Sequence, residues 1–401
     1  MNRRYAWIVV GLLWVVAALN YLDRQIIFSV FPLLESDLHL TPGQLGLVSA
    51  MFLWVYALVS PFAGYLADRF GAVRMILIGL LVWSVVTWAT GEARGLTGLL
   101  SARAFMGVSE ACYLPAALSL IAAYHGSGSR SLATGLHQSG LYVGIALGGV
   151  GGGWMGDRYG WRLAFTLLGS VGVAYFLILH FTLRAPSKPG IGTSSPPAML
   201  ASFRHLTNLP GFLNMMAVFS VTSIANWLVY TWLPLYLFER FGMTLTTAGF
   251  TATFYIQAAS FVGIVLGGWI ADRWSSRTPR GRLFTQIVGL CAAAPFLFVL
   301  GLTRSHFLLV ASLLVFGLGR GLYDCNAMPV LCQIARPEYR ATGYGILNCA
   351  ACLAGGVAAA LAGYLKSAIG LNMAFQAAAV LLLLSSLLLY RVRVTSDDPA
   401  L

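Results

Sequence analysis

Apolar residues in this chain neither alternate nor keep to one helical face; they run on in long stretches broken by short polar connections. The stretches cover 6–33, 44–67, 75–92, 96–124, 131–155 and 162–183, then 211–238, 246–270, 284–303, 307–335, 341–366 and 373–391. Each is long enough to cross a hydrocarbon core of about 30 Å as a helix. The pattern predicts an all-α membrane protein with twelve transmembrane helices. The connections leave no room for a soluble catalytic domain. The first stretch follows Arg3 and Arg4 as a secretory leader would. It lacks a small-residue cleavage site and continues through Asn20-Tyr21-Leu22-Asp23-Arg24, so it reads as the first helix.

One interval stands apart. Residues 184–209 contain Ala185-Pro186-Ser187-Lys188-Pro189-Gly190 and Ser194-Ser195-Pro196-Pro197, a polar, Pro/Gly-rich run expected to be a cytoplasmic linker. It divides the chain into a six-helix bundle over 1–183 and another over 210–401, with a short surface helix expected near 198–206. The halves repeat each other in order. Gly64-Tyr65-Leu66-Ala67-Asp68-Arg69 matches Gly268-Trp269-Ile270-Ala271-Asp272-Arg273, and Gly107…Glu110…Pro115 matches Gly321…Asp324…Pro329. Ala133-Thr134-Gly135 matches Ala341-Thr342-Gly343, and Gly160…Ala164-Phe165 matches Gly370…Ala374-Phe375. Ordered matches of this kind indicate an internal duplication. Duplicated halves flanking a midplane site are a common plan of secondary transporters.

Composition agrees with the pattern, at 58% hydrophobic and 9% charged residues. The net charge of +12 would suggest a nucleic-acid partner until the charges are sorted by loop. With the N-terminus inside, sixteen Lys/Arg fall in cytoplasmic segments and six outside, the positive-inside asymmetry that sets orientation. Both termini are then cytoplasmic and no nucleic acid is implied. The six cysteines all lie in expected spans, so no disulfide framework is expected. Cys349-Ala-Ala-Cys352 sits in an apolar helix, without the context of a redox or metal motif. The histidines are scattered with no HExxH spacing, which weighs against a membrane-embedded enzyme. No cofactor or metal is expected.

Charges inside the spans carry the functional signal. Once loop charges are set aside, Asp23, Arg24, Arg103, Glu110, Arg320 and Asp324 remain. Each costs about 2.5–3.5 kcal/mol at a helix centre on insertion scales, so they must face one another or a watery cavity. Asn20, Asp23, Arg24 and Ile27 share one helical face, as do Arg103, Gly107, Glu110 and Leu114. Axial rise places Asp23 and Arg103 at similar depth, which makes them the expected pair. Arg320 and Asp324, four residues apart, can neutralise each other within one helix, although Asp324 occupies the position equivalent to Glu110. The acids and arginines cancel when all are ionised. Protonating one carboxylate leaves a net positive cavity suited to an anion. The reading is proton–anion symport, with Asp23, Glu110 and Asp324 carrying protons and Arg24, Arg103 and Arg320 offering cations. A static charge lattice is the other reading of the same residues.

Tyr21, Gln25, Tyr113, Gln138, Tyr142, Asn226, Tyr230, Tyr323 and Asn326 are candidate cavity-lining residues. Tyr56, Trp227, Tyr255, Gln257 and Asn348 are further positions of the same kind, whereas His137 reads as a core residue. Gly140, Gly144, Gly148 and Gly149 read as close helix packing and not as a phosphate loop, because no strand precedes them.

The segment Gly64-Tyr65-Leu66-Ala67-Asp68-Arg69-Phe70-Gly71-Ala72-Val73-Arg74 is similar to the major facilitator superfamily signature between helices 2 and 3, with a fainter copy at 268–277. Asn20-Tyr21-Leu22-Asp23-Arg24 and Arg103…Glu110 resemble the organic anion:proton symporters of that superfamily, the sialin-like, hexuronate and galactonate carriers. Spinster-type lipid exporters share much of the pattern. The resemblance implies alternating access, with the family's charged positions at Asp23, Arg24, Arg103 and Glu110. It also implies gating roles for Asp68, Arg69, Arg74, Asp272 and Arg273, the aspartate stabilising the N-terminal end of a helix in the other half. A proline follows a glycine in the superfamily's antiporter signature; here Ile145 follows Gly144, which counts against drug–proton antiport. The expected partners are a small organic anion (a sugar acid or another carboxylate), protons and the lipid bilayer, with the chain a monomer in the plasma membrane. A lysolipid transporter and a drug exporter remain as alternatives.

Overall fold

A computed structural model describes residues 3–126, 129–185, 199–392 and 394. Among the described residues the regular structure is helical throughout. The order is α1 (Arg3–Ser29), α2 (Phe31–Leu38), α3 (Pro42–Phe70), α4 (Ala72–Thr90), α5 (Leu96–Ala111), α6 (Tyr113–Tyr124), α7 (Arg130–Tyr159) and α8 (Trp161–Thr182). There follow α9 (Met199–Thr207), α10 (Phe212–Phe241), α11 (Leu245–Ser275), α12 (Gly281–Leu302), α13 (His306–Ile334) and α14 (Pro337–Leu389). A short helix, α9, forms close to the expected 198–206; residues 186–198 of the expected linker lie outside the described residues.

Ten described stretches are long and apolar enough to span a membrane. One of them, Thr342–Leu389, has 48 residues, about 70 Å of helix and twice what a crossing needs. Its helical path breaks at Gly370, where φ is 76° and ψ is 158°, so α14 supplies two crossings. The 30-residue α7 is long enough but falls short in apolarity, because nine of its residues are glycine. Counting it brings the total to the twelve helices expected from sequence. α5 and α6 form one crossing interrupted at Cys112, since Pro115 has no N–H to offer the Ala111 carbonyl.

The chain packs as two compact units. The first comprises α1–α8 together with Leu233–Thr253, the end of α10 and the start of α11. The second takes α9, α10 as far as Trp232, and the chain from Phe254 onward.

In the first unit α1 and α7 run side by side in the same direction. A β-carbon on Gly140 would lie 2.7 Å from the Trp14 carbonyl oxygen, and one on Gly144 would lie 2.3 Å from that of Ala18. The series continues with Gly148 at 2.7 Å from the Leu22 oxygen and Gly152 at 2.9 Å from the Ile26 oxygen. One glycine per turn therefore lets the backbones touch along the stretch that carries Asp23 and Arg24. Tyr5 donates to the Thr182 carbonyl (2.7 Å) and Tyr124 to the Arg184 carbonyl (2.8 Å), joining the start of α1 to the ends of α6 and α8. At the opposite end Arg162 donates to the carbonyls of Gly91 (3.0 Å) and Ala93 (2.8 Å) and pairs with Asp37 (3.1 Å).

In the second unit Gly317 and Gly321 of α13 approach α11, while Gly319 meets Gly289 of α12. The duplication is visible in detail. Arg130 donates to carbonyls five and eight residues before it, those of His125 and Ala122, and Arg340 does the same to Ala335 and Cys332.

Candidate functional site

The intramembrane charges of the first unit converge as a buried cluster. Asn20, Asp23, Arg24 and Ile27 are all buried, as the shared face of α1 requires. Gly107 lets α5 press on α3: its β-carbon would lie 2.9 Å from the Phe52 carbonyl oxygen and 3.1 Å from the Tyr56 nitrogen. That approach brings Glu110 to α1. The direct ion pair is Arg24–Glu110, with Arg24 Nε donating to Glu110 Oε2 and the carboxylate side chain fully buried. The rings of Tyr21, Phe52 and Tyr56 surround the Arg24 guanidinium at 4.6, 4.9 and 4.8 Å. This is within the range of cation–π attraction.

The expected Asp23–Arg103 contact is not an ion pair. The two groups interact only at a distance, and Asp23 Oδ1, like Thr87 Oγ1 of α4, is buried without a hydrogen-bond partner. Neighbouring residues on a helix diverge by about 100°, and on α1 it is Arg24 that reaches a carboxylate of α5. Axial depth matched Asp23 to Arg103; angular position chose Arg24 and Glu110.

Arg103 is left unusual. It is buried, and Nη1 donates to the Met106 sulfur at 3.2 Å. Its Nε and Nη2, the donors of the side-on fork that grips carboxylates, have no partner in the protein. Asp23 Oδ1, Glu110 Oε1 and the Asn20 amide nitrogen are also unpartnered and buried. Buried polar groups left open in one place need an explanation, and a bound solute or water supplies one.

The second unit holds a different arrangement. Arg320 Nε donates to Asp324 Oδ2 at 3.1 Å within α13, as the spacing predicts. Arg320 also donates to the Tyr230 hydroxyl, which accepts a second bond from Gln257 at 3.0 Å.

The remaining candidates separate by surroundings. The Tyr113 hydroxyl donates to the Leu13 carbonyl at 2.8 Å and meets His137 Nε2 at 2.9 Å inside the core between α1, α6 and α7. Both residues are core ties there. Tyr323 is buried with its hydroxyl toward Thr222, and the Asn326 amide donates to the Leu322 carbonyl of its own helix at 3.1 Å. Gln25 is buried beside Gly148, while Gln138, Tyr142 and Asn226 are half-buried on α7 and α10. Arg69 and Arg74 are exposed at the end of the first unit that holds the N-terminus; the Asp68 side chain lies outside the described residues. Asp272 pairs with Arg282 at 3.5 Å, and Arg273 lies over the Trp269 ring. Thr87 and Phe52 were not singled out from sequence. A lone threonine and a phenylalanine in apolar helices carry no signal until the helices are assembled.

Comparison with known proteins agrees with this architecture. The D-galactonate transporter of Escherichia coli O6:H1 is 28% identical over 294 residues, covering 68% of this chain and 67% of its own length. Probable anion transporter 4, a chloroplastic protein of Oryza sativa subsp. japonica, is 27% identical over 397 residues, 94% of this chain and 66% of the relative. The chain thus spans about two thirds of the length of these relatives. A bacterial homologue of the human lysosomal transporter Spinster, solved inward-facing and unoccupied, superposes with a TM-score of 0.84 at 22% identity, covering 97% of both chains, and so shares the fold. The family model described as Major Facilitator Superfamily matches residues 13–359 and 280–400. A twelve-helix duplicated architecture, with charges gathered inside it, is thereby placed: the chain belongs to the Major Facilitator Superfamily of membrane transporters.

Proposed function

We propose that the chain carries small organic anions, sugar acids or related carboxylates, across the membrane together with protons. The observation that carries this reading is the unspent side-on fork of Arg103 in a buried cluster whose other arginine is already neutralised by Glu110. With Asp23 and Glu110 ionised, the two acids balance Arg24 and Arg103 and nothing draws an anion inward. Protonating Asp23 leaves a surplus positive charge beside the fork. A carboxylate then fits the two donors and restores neutrality. Loss of the proton reverses both effects, so each ligand favours the other, as reciprocal coupling requires. The name of the Escherichia coli relative, a D-galactonate transporter, supports a sugar acid as the first anion to test.

The loop-charge asymmetry supports cytoplasmic termini in a plasma membrane. In that orientation Arg69, Arg74, Asp272 and Arg273, with Asp68, serve the cytoplasmic gate. In the second unit Arg320 and Asp324, with Tyr230, contribute a secondary polar patch.

Proteoliposomes test the reading. An inward proton gradient is expected to drive accumulation of D-galactonate or another small carboxylate. Asp23→Asn is expected to remove the response to the gradient while keeping substrate exchange. Gradient-driven uptake that persists in Asp23→Asn would sink the proton assignment. Transport of lysophospholipid, with no organic acid carried, would replace the anion by a lipid.

A further inference from the structure

The sequence Gly153-Trp154-Met155-Gly156-Asp157-Arg158-Tyr159-Gly160 repeats the spacing of Gly64…Asp68-Arg69-Phe70-Gly71, at the opposite end of the first unit. The backbone repeats as well. Gly71 and Gly160 each end one long helix and begin the next with positive φ, 87° and 80°. A side chain with a β-carbon is strained in that region, so glycine fixes both turns.

At the second copy the aspartate is engaged. Asp157 Oδ1 accepts from the Leu245 backbone N–H at 3.1 Å, and Oδ2 accepts from the Thr246 N–H at 2.8 Å and the Thr246 hydroxyl at 2.5 Å. Leu245 and Thr246 open α11. A helix starts with N–H groups that lack internal partners and with the positive end of its dipole. Thr244 accepts from Thr247 at 3.2 Å, so α11 caps its third N–H itself and leaves the first two to Asp157. The contact continues along the helices. A β-carbon on Gly153 would lie 2.2 Å from the Leu245 oxygen, and one on Gly249 would lie 2.0 Å from the Gly149 oxygen. Leu245–Thr253 comes from the second half of the sequence yet packs within the first compact unit.

We propose that Asp157 is a gating residue: its carboxylate clasps the N-terminus of α11 to α7 and holds the transporter shut at the membrane face opposite the N-terminus. Opening that face requires the start of α11 to leave the glycine surface of α7, and the three hydrogen bonds break with it. Asp157 touches no residue of the charged cluster. The proposal therefore holds for any substrate and fails independently of the anion reading.

The test uses the full chain in sided proteoliposomes, with Thr253→Cys as a reporter. Thr253 is fully buried against Gly149, so a cysteine there reacts only when the clasp is open. A membrane-impermeant maleimide is applied from the face opposite the N-terminus, and each site is read by peptide mass spectrometry. Native Cys112, buried elsewhere in the first unit, reports general loosening. Asp157→Ala is expected to speed labelling at position 253 at least about tenfold, the scale of losing one charged hydrogen bond, with Cys112 unchanged. Asp157→Asn should fall between, because its single amide oxygen still accepts. Unchanged labelling at 253 in Asp157→Ala, or a parallel rise at Cys112, overturns the proposal.

Discussion

The two charged clusters descend from one duplicated design and do different things with it. In the first unit the pair joins two helices: Arg24 on α1 meets Glu110 on α5, with side-chain exposures of 9% and 0%. In the second unit Arg320 and Asp324 close on each other within α13, at 12% and 30%. Glu110 and Asp324 occupy matching positions near matching prolines, yet α5 breaks at Cys112 while α13 runs on through Pro329. The duplication preserved the backbone plan and the place of the acid, and the basic partner was chosen separately in each half. An arginine satisfied by its own helix asks nothing of a solute. Arg103 is the contrast: the two donors of its fork are buried without a partner in the protein, and the proposed anion site is built on them.

The comparison breaks most sharply at Arg103. Arg103→Ala removes two charge-assisted donors, each worth about 1.5–3 kcal/mol, so anion affinity should fall at least about 100-fold. Arg103→Lys should recover little, because an ammonium cannot present a planar fork. Concentration dependence of uptake in proteoliposomes checks both, and a change below about threefold in Arg103→Ala would remove Arg103 from the binding role. The same substitution at Arg320 is expected to cost far less.

Stability should separate the clusters next. Glu110→Ala strands a buried guanidinium, and breaking a buried pair costs about 3–5 kcal/mol. Asp324→Ala leaves a mostly buried arginine that keeps the Tyr230 hydroxyl as a partner, so a smaller loss than for Glu110→Ala is expected. Thermal unfolding in detergent measures the gap; equal losses would erase the distinction drawn between the units.

The smallest effect concerns what holds α1 in place. Gly148→Ala pushes a methyl into the Leu22 carbonyl and should destabilise the fold by about 1–3 kcal/mol. On the same helix Gly151 faces open space, so Gly151→Ala should be neutral or stabilising by about 1 kcal/mol. Similar losses from the two would show that backbone contact does not govern the pairing of α1 with α7.

Much of this was legible in the sequence. Long apolar runs announce membrane helices, since the bilayer sets their length, and the few charges inside them stand out against that background. The equivalence of Glu110 with Asp324 was readable because their flanking glycines and prolines were duplicated with them. Pairing within one helix was readable, as Arg320 and Asp324 show, but pairing between helices was not. Rise per residue gives depth along an axis, whereas Arg24 found Glu110 because of the angle at which each leaves its helix. Tyr113 is a related case: a tyrosine in a span reads the same whether it lines a cavity or donates to a backbone carbonyl, as this one does to Leu13. Asp157 was hidden because the apolar stretch ends at 155, which left it in an expected connection, where charges are ordinary.

The glycines of α7 bear on how the protein is made. Nine of thirty residues give the helix its fit to α1 and deprive it of the apolarity that carries the other helices into a bilayer. A segment so weakly hydrophobic gains little from lipid alone; its stability in the membrane comes from docking on a helix synthesised about a hundred residues earlier. Biogenesis then has an order: α1 has to be in place in the membrane before α7 can dock on it.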